Sequence, residues 1–174
     1  MKLNYAALAG FLALMFGLSS AQAAGPTDPQ IAAIVVTANQ VDIDAAKLAL
    51  SKAKSPDVKT FAQLMITDHS GVNKAATELV QKLHVTPESN PTSQSLQKGG
   101  DDNLAALKKL SGSAFDRVYV DHEVVYHQAV LDALDTTLIP SAQNAELKAL
   151  LVKVRPAFVA HLEHAKHLQG ELGK

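Results

Sequence analysis

Apolar residues recur along this chain in steps of three and four positions, the spacing that places side chains on one face of an α-helix. Asp28-Pro29 and Ser55-Pro56 indicate helix starts, because each combines an N-cap residue with proline at the first helical position. No segment of useful length alternates apolar and polar residues as a strand would. The pattern predicts four long helices and one short helix, over 29–53, 55–84, 101–110, 114–138 and 142–172.

The connections between these helices predict how they pack. Short turns near 54 and at Ile139-Pro140-Ser141 make two antiparallel hairpins. Between the hairpins, the stretch 85–100 is rich in Pro, Ser, Asn and Gly, which is typical of a linker. The predicted fold is therefore an all-α, ferritin-like four-helix bundle with a long crossover between the second and third long helices.

One polar residue interrupts the apolar stripe of each long helix: Asp42, His69, His127 and His161. A polar group turned toward a core costs about 1–3 kcal/mol unless it finds a hydrogen-bond partner or a metal. When positions are counted along each helix from its turn, at a rise of about 1.5 Å per residue, Asp42, His69 and His127 are predicted to lie at one level of the bundle. His161 is predicted to lie roughly one to two turns away.

Two interpretations of this polar layer follow from its chemistry. The first is a mononuclear metal site, because three imidazoles and one carboxylate suit Zn, Cu, Ni or Fe(II). The second is a structural layer, in which neutral imidazoles bond to Asp42, Tyr119 or Asp116 and fix the helix register. Asp68 is interpreted as a hydrogen-bond acceptor for His69 or as a solvated neighbour of it.

Other residues around the layer also have two interpretations. Tyr119 and Asp116, one turn apart, are expected to orient His122 or His161, or else the tyrosine hydroxyl lies at the surface. Met65, one turn before His69, is interpreted as an axial haem ligand or as a gap-filling core methionine.

The last helix carries a second histidine cluster. His164 and His167 follow His161 at intervals of three and lie beside Glu163 and Lys166. Such a cluster is either a surface site for Cu or Zn or a solvated face near a helix C-terminus, where protonated histidine is favoured.

Several functional classes are excluded by what the chain lacks. It has no cysteine, so it forms no disulfide, thiolate metal site, lipidated cysteine or covalent haem. Ser70 points about 100° away from His69 on a helix, so the two form no nucleophile–base pair. Gly99-Gly100-Asp101 lacks the lysine of a phosphate-binding loop. A net charge of −1 predicts no nucleic-acid surface.

The N-terminus has the layout of a secretory signal peptide: Lys2, an apolar run over 5–18, and small residues up to Ala24. Residues 1–23 are interpreted as that signal, cleaved near Ala23 or Ala24 and followed by one domain over 24–174. The run of about 14 residues is shorter than the roughly 20 that span a bilayer. The mature domain is expected to be soluble and periplasmic or secreted, without a membrane span.

A combination of short motifs resembles the DUF4142 family over essentially the whole mature chain. The motifs that carry this resemblance are Asp42-Ile43, Ser55-Pro56, Val58 to Ala62, Met65, Asp68-His69-Ser70, Phe115-Asp116, Tyr119, His127, Pro156 and His161-Leu162. The resemblance implies a ferritin-like, secreted protein, often labelled an outer-membrane protein, without an established activity. It also implies Glu where this chain has the shorter Asp42.

A ferritin-like fold does not by itself predict ferritin-like chemistry. A di-iron centre needs Glu-x-x-His on two helices, whereas Glu123 with His127 and Glu163 with His167 are spaced by four. No ferroxidase activity is therefore expected. The functional prediction is an exported bundle that binds a divalent transition metal (Zn, Cu or Fe) through His69, His127, His161 and Asp42. The alternative is a non-catalytic envelope or stress-response module.

Overall fold

The computed structural model describes residues 25–173, so the predicted signal peptide lies outside the described residues. The described part is helical without strands. The five main helices are α1 Asp28–Lys52, α2 Pro56–Lys82, α3 Pro91–Lys108, α4 Gly112–Ala133 and α5 Ala145–Leu172. After α4, one π-helical turn, Leu134–Leu138, leads into the short α-helical segment Ile139–Ser141. Helices α1, α2, α4 and α5 form a four-helix bundle, as predicted.

The crossover differs from the prediction, because most of the expected linker is helix α3. Its start is capped by Asn90, whose side chain accepts hydrogen bonds from the backbone N–H groups of Thr92 and Ser93. Asn90-Pro91 is thus the same cap-and-proline signal as Ser55-Pro56 at the start of α2. Gly100 lies inside α3, where an added Cβ would come 2.7 Å from the methyl groups of Val41. The glycine therefore allows α3 to pack closely along α1.

The first residue of α1 links the two hairpins at one end of the bundle. Thr27, one residue before the predicted cap, occupies the N-cap position and forms a capping box with Gln30. The carboxylate of Asp28 instead accepts hydrogen bonds from the backbone N–H groups of Gln143 and Asn144, at 2.9 and 2.8 Å. These bonds fix the start of α1 against the start of α5.

Two apolar clusters occupy the two ends of the bundle. The cluster near the α1–α2 turn contains Phe61, Phe115 and Tyr119 packed against alanines of α1. The other contains Ile31, Leu134 and Phe158 with further aliphatic residues of α4 and α5. On α1, α2 and α4, the polar position predicted from the sequence falls between residues of the two clusters, and on α5 His161 lies between Phe158 and Leu162 of the second cluster, one turn before the first. The fold therefore places one polar layer between two apolar cores.

Within residues 25–173, no helix is both long enough and apolar enough to span a membrane.

Candidate metal centre

The three histidines of the polar layer meet in the bundle interior. Their ring centroids are separated by 5.6 Å for His69 and His127, 5.2 Å for His69 and His161, and 5.4 Å for His127 and His161. All three are buried, and Phe158 packs against each of their rings. The prediction that His161 lies one to two turns away is wrong. Since α5 starts at Ala145, about three residues later than predicted, His161 lies almost one turn nearer to the turn.

The ring of His69 is oriented from outside the layer by Asn39, on α1. Its Nδ1–H donates to Asn39 Oδ1 at 2.6 Å, and Asn39 Nδ2 donates to the backbone oxygen of Val35 at 2.8 Å. Because that second bond fixes the amide, its oxygen faces the imidazole as an acceptor. The proton of neutral His69 therefore lies on Nδ1, and Nε2 carries a lone pair toward the interior.

The other two rings are oriented in the same way. His127 Nδ1–H donates to the backbone oxygen of Glu123 at 3.0 Å. His161 Nε2–H donates to Asp68 Oδ2 at 2.9 Å. Asp68 thus serves as the predicted acceptor, but for His161 rather than for His69. The nitrogens left without a hydrogen-bond partner are His127 Nε2 and His161 Nδ1, together with His69 Nε2.

These arrangements produce a set of converging donor atoms. One nitrogen from each of His69, His127 and His161 lies within 4.8 Å of one nitrogen from each of the other two. An imidazole whose second nitrogen is held by an oxygen acceptor is the usual form of a metal-binding histidine. The geometry therefore has both the donors and the supporting hydrogen bonds of a metal site.

Asp42 adds a carboxylate to this set. Its Oδ2 lies 3.1 Å from His69 Nε2 and 3.5 Å from His127 Nε2, yet neither carboxylate oxygen has a hydrogen-bond partner. A buried carboxylate normally accepts several hydrogen bonds. A carboxylate that faces two nitrogen lone pairs is repelled unless a proton or a cation lies between them.

The pKa values of His127 and Asp42 are both shifted downward in the folded protein. Burial lowers the pKa of His127 to about 4, more than the nearby Asp42 raises it. Burial also works to raise the pKa of Asp42, but the imidazoles of His69, His127 and His161 outweigh it and lower that pKa. Near neutral pH the layer thus combines an ionised carboxylate with a neutral His127, a charge that a bound cation would compensate.

Glu123 is a buried acid that the sequence analysis considered only as a failed di-iron motif. Its Oε2 lies 3.4 Å from His127 Nδ1 and has no hydrogen-bond partner. Burial, and then the charge of Asp42, raise the pKa of Glu123 well above its usual value. The protonated form of Glu123 is therefore favoured more strongly than that of an exposed glutamate. Its position one turn before His127 was the signal that could have identified it.

The predicted roles of Asp116 and Tyr119 are wrong. Both oxygens of the buried Asp116 accept backbone N–H groups of the α1–α2 turn, from Lys54 and Ser55 at 2.8 Å each. Tyr119 is fully buried, and its ring lies 6.2–6.3 Å from those of Phe61 and Phe115. Neither residue is hydrogen-bonded to His122 or His161, because the α1–α2 turn and the aromatic cluster hold them.

The remaining candidates lie outside the layer. His122 stacks on Tyr126 with ring centroids 5.6 Å apart. His164 contacts the ring of Phe61 through an edge-to-face arrangement, and the exposed His167 pairs with Glu171 at 3.3 Å. In the described part of the chain, His161, His164 and His167 do not bring three donor atoms within 4.8 Å of one another. Met65 is fully buried in the apolar cluster near the α1–α2 turn.

Fold and site together define an all-α bundle with a buried centre of three histidines and one aspartate. Residues 16–168 match the model of the family "Domain of unknown function (DUF4142)", and the chain belongs to that family. A similar solved structure is "CopM in the Cu(II)-bound form", at a TM-score of 0.64 and 21% identity, covering 84% of this chain and 98% of that one. At this identity the likeness concerns the fold. No curated protein matches the sequence.

Proposed function

We propose that this protein binds one divalent transition-metal ion through His69 Nε2, His127 Nε2, His161 Nδ1 and the carboxylate of Asp42. The observation that carries the proposal is the set of buried donor atoms without hydrogen-bond partners in this layer. An apolar core would satisfy packing alone at a lower desolvation cost. A cation gives every one of these atoms a partner.

The donor set narrows the choice of metal. Imidazole nitrogens bind Cu, Zn, Ni and Fe(II), whereas Mg and Ca prefer sites made only of oxygen ligands. The fold is similar to that of CopM, whose structure is in a Cu(II)-bound form, so Cu(II) is the first candidate and Zn(II) the second. The single carboxylate of Asp42 beside the imidazoles leaves a net positive charge at a divalent centre.

The layer suits storage or buffering of a metal better than catalysis. Four protein ligands complete a tetrahedral coordination sphere, whereas catalytic sites keep one position open for water or substrate. His69 and His161 also line a groove of about 410 Å³ between α2 and α5, which reaches Asp68 at the surface. The Asp68 side chain is 37% exposed and bonds His161, so it connects the centre with solvent. We propose loading from an extracytoplasmic solution, as the predicted signal peptide implies.

A melting experiment separates this function from a purely structural polar layer. Protein purified without a histidine tag is melted in chelator, in Cu(II) and in Zn(II). A metal that binds only the native state stabilises it by about 2.7 kcal/mol at roughly 100 times Kd, which raises Tm by roughly 5–10 °C. Metal content after purification and the Cu(II) electron paramagnetic resonance spectrum, with coupling to nitrogen, identify the ligands.

Two histidine variants provide the matched comparison. His127→Gln removes a central ligand and is expected to abolish the metal-dependent gain in Tm. His167→Gln removes an exposed histidine of α5 and is expected to leave that gain unchanged. The metal proposal fails if neither ion shifts the melting of the wild type, or if His127→Gln keeps the full gain.

A further inference from the structure

An apolar chamber lies beside the polar layer, between α1, α4 and α5 and next to the first turn of α3. Its volume is about 520 Å³, within the range of natural small-molecule sites. The buried part of its wall comes from α1, α5 and the π-helical turn: Ile34, Val35, Leu134, Leu138, Leu151 and Phe158. The chamber belongs to the end of the bundle opposite the α1–α2 turn.

The chemistry of the walls defines what could occupy the chamber. No lining side chain is charged, so neither an anion nor a cation would find a counter-charge. The main polar groups already have partners: Tyr126 Oη donates to the backbone oxygen of Ala38 at 2.8 Å, and the Asn90 side chain caps α3. A neutral, mainly apolar molecule would therefore gain from burial without leaving a polar group unpaired.

Small residues and one backbone irregularity open this space. Ala38, Ala129 and Ala133 face the chamber, where larger side chains would fill it. At its α4 wall the helix changes to the π-helical turn Leu134–Leu138, whose Leu134, Thr137 and Leu138 line the chamber. Single π-helical turns within α-helices are rare and are frequently found at functional sites.

We infer that the chamber is a binding site for a neutral, apolar small molecule, distinct from the metal centre but in contact with it. Two residues line the chamber and also contact histidines of the polar layer. Phe158 lines the chamber and packs on His69, His127 and His161. Asn39 lines it too and holds Nδ1 of His69. A ligand that presses on these side chains is therefore placed to change the affinity of the polar layer for its ion.

The test uses the neutral fluorescent probe N-phenyl-1-naphthylamine, titrated onto the native protein in chelator. One saturable site is expected for the wild type. Ala133→Phe places a ring inside the chamber and is expected to weaken binding at least about tenfold. Val125→Phe adds the same ring to α4 at a position that is 70% exposed and outside the chamber, and is expected to bind as the wild type does. Circular dichroism and Tm confirm that each variant is folded.

Several outcomes would overturn the inference. A fluorescence increase that never saturates, or equal affinity in wild type and Ala133→Phe, shows that the chamber takes no ligand. If Ala133→Phe fails to fold, Thr137→Trp blocks the chamber from an exposed wall position and must weaken binding instead. His127→Gln retains the chamber, so probe binding by this variant keeps the test separate from the metal proposal.

Discussion

Asp42 and Asp116 are equally buried, each 2% exposed, but their surroundings are opposite. Asp116 accepts one backbone N–H on each oxygen at the α1–α2 turn. Asp42 accepts no hydrogen bond and instead faces His69 and His127. Burial alone therefore does not distinguish a structural carboxylate from a functional one. The distinction comes from whether the protein itself supplies the partners of the charge.

The charges of Asp116 and Asp42 are compensated in different ways. The N–H groups of Lys54 and Ser55 would be unpaired in the turn, so Asp116 satisfies both backbone and carboxylate at once. For Asp42 the protein supplies nearby imidazoles, which lower its pKa, but no hydrogen-bond donor of good geometry. A bound ion would supply the direct partner that its oxygens lack in the metal-free protein. Three predictions test this contrast.

Asp116→Ala is expected to cause the largest change, a loss of about 4 kcal/mol in the free energy of unfolding, because a buried carboxylate and two backbone N–H groups of the α1–α2 turn lose their hydrogen bonds. Urea denaturation in chelator measures the loss. The affinity for metal, measured on the folded variant, is expected to stay within about twofold of the wild type, which is a small free-energy difference. A loss below about 1 kcal/mol would contradict the structural role.

The pH dependence of stability sharpens the contrast through His127. Its pKa is about 4 in the folded protein and about 6.5 when unfolded, so the unfolded state binds a proton first as the pH falls. The stabilisation that neutral His127 contributes is present above pH 6.5. It is lost as the pH falls toward 4, by on the order of 3 kcal/mol.

The raised pKa of Glu123 makes the folded protein more stable, not less stable, as the pH falls. His127→Gln keeps Glu123, so the difference in stability between the wild type and this variant reports the contribution of His127. Denaturation of both proteins in chelator at pH 7 and pH 4 gives the comparison. The wild type is expected to lose stability relative to His127→Gln on acidification. A constant difference between them would contradict a neutral, buried His127.

Asp42→Asn is expected to cause the smallest change in the free energy of unfolding, within about 1 kcal/mol of the wild type in chelator, the net value of a typical hydrogen bond. The amide removes a buried charge and can donate to the imidazole lone pairs. Thermal melts with and without Cu(II) are expected to show that the metal-dependent gain is lost. A destabilisation as large as that of Asp116→Ala would remove the distinction between the two aspartates.

Local signals in the sequence predicted much of the fold. The spacing of apolar residues predicted the four bundle helices to within a few residues at their ends. It missed the start of α3, although Asn90-Pro91 carries the same signal as Ser55-Pro56. The composition of 85–100 resembled that of a linker because glycine, present at Gly99 and Gly100, is rare inside helices. Only the close packing of Gly100 against Val41 shows why a glycine is tolerated there.

The sequence by itself determined that each bundle helix carries a polar residue within its core-facing apolar stripe, because that follows from a local period. Only the tertiary structure decided that His161 joins the layer and that Asn39 and Asp68 orient its rings. It also separated Asp42 from Asp116, two identical residues on core-facing positions. Hydrogen-bond partners depend on turn lengths, side-chain rotamers and contacts between helices distant along the chain, and no local pattern encodes those distances.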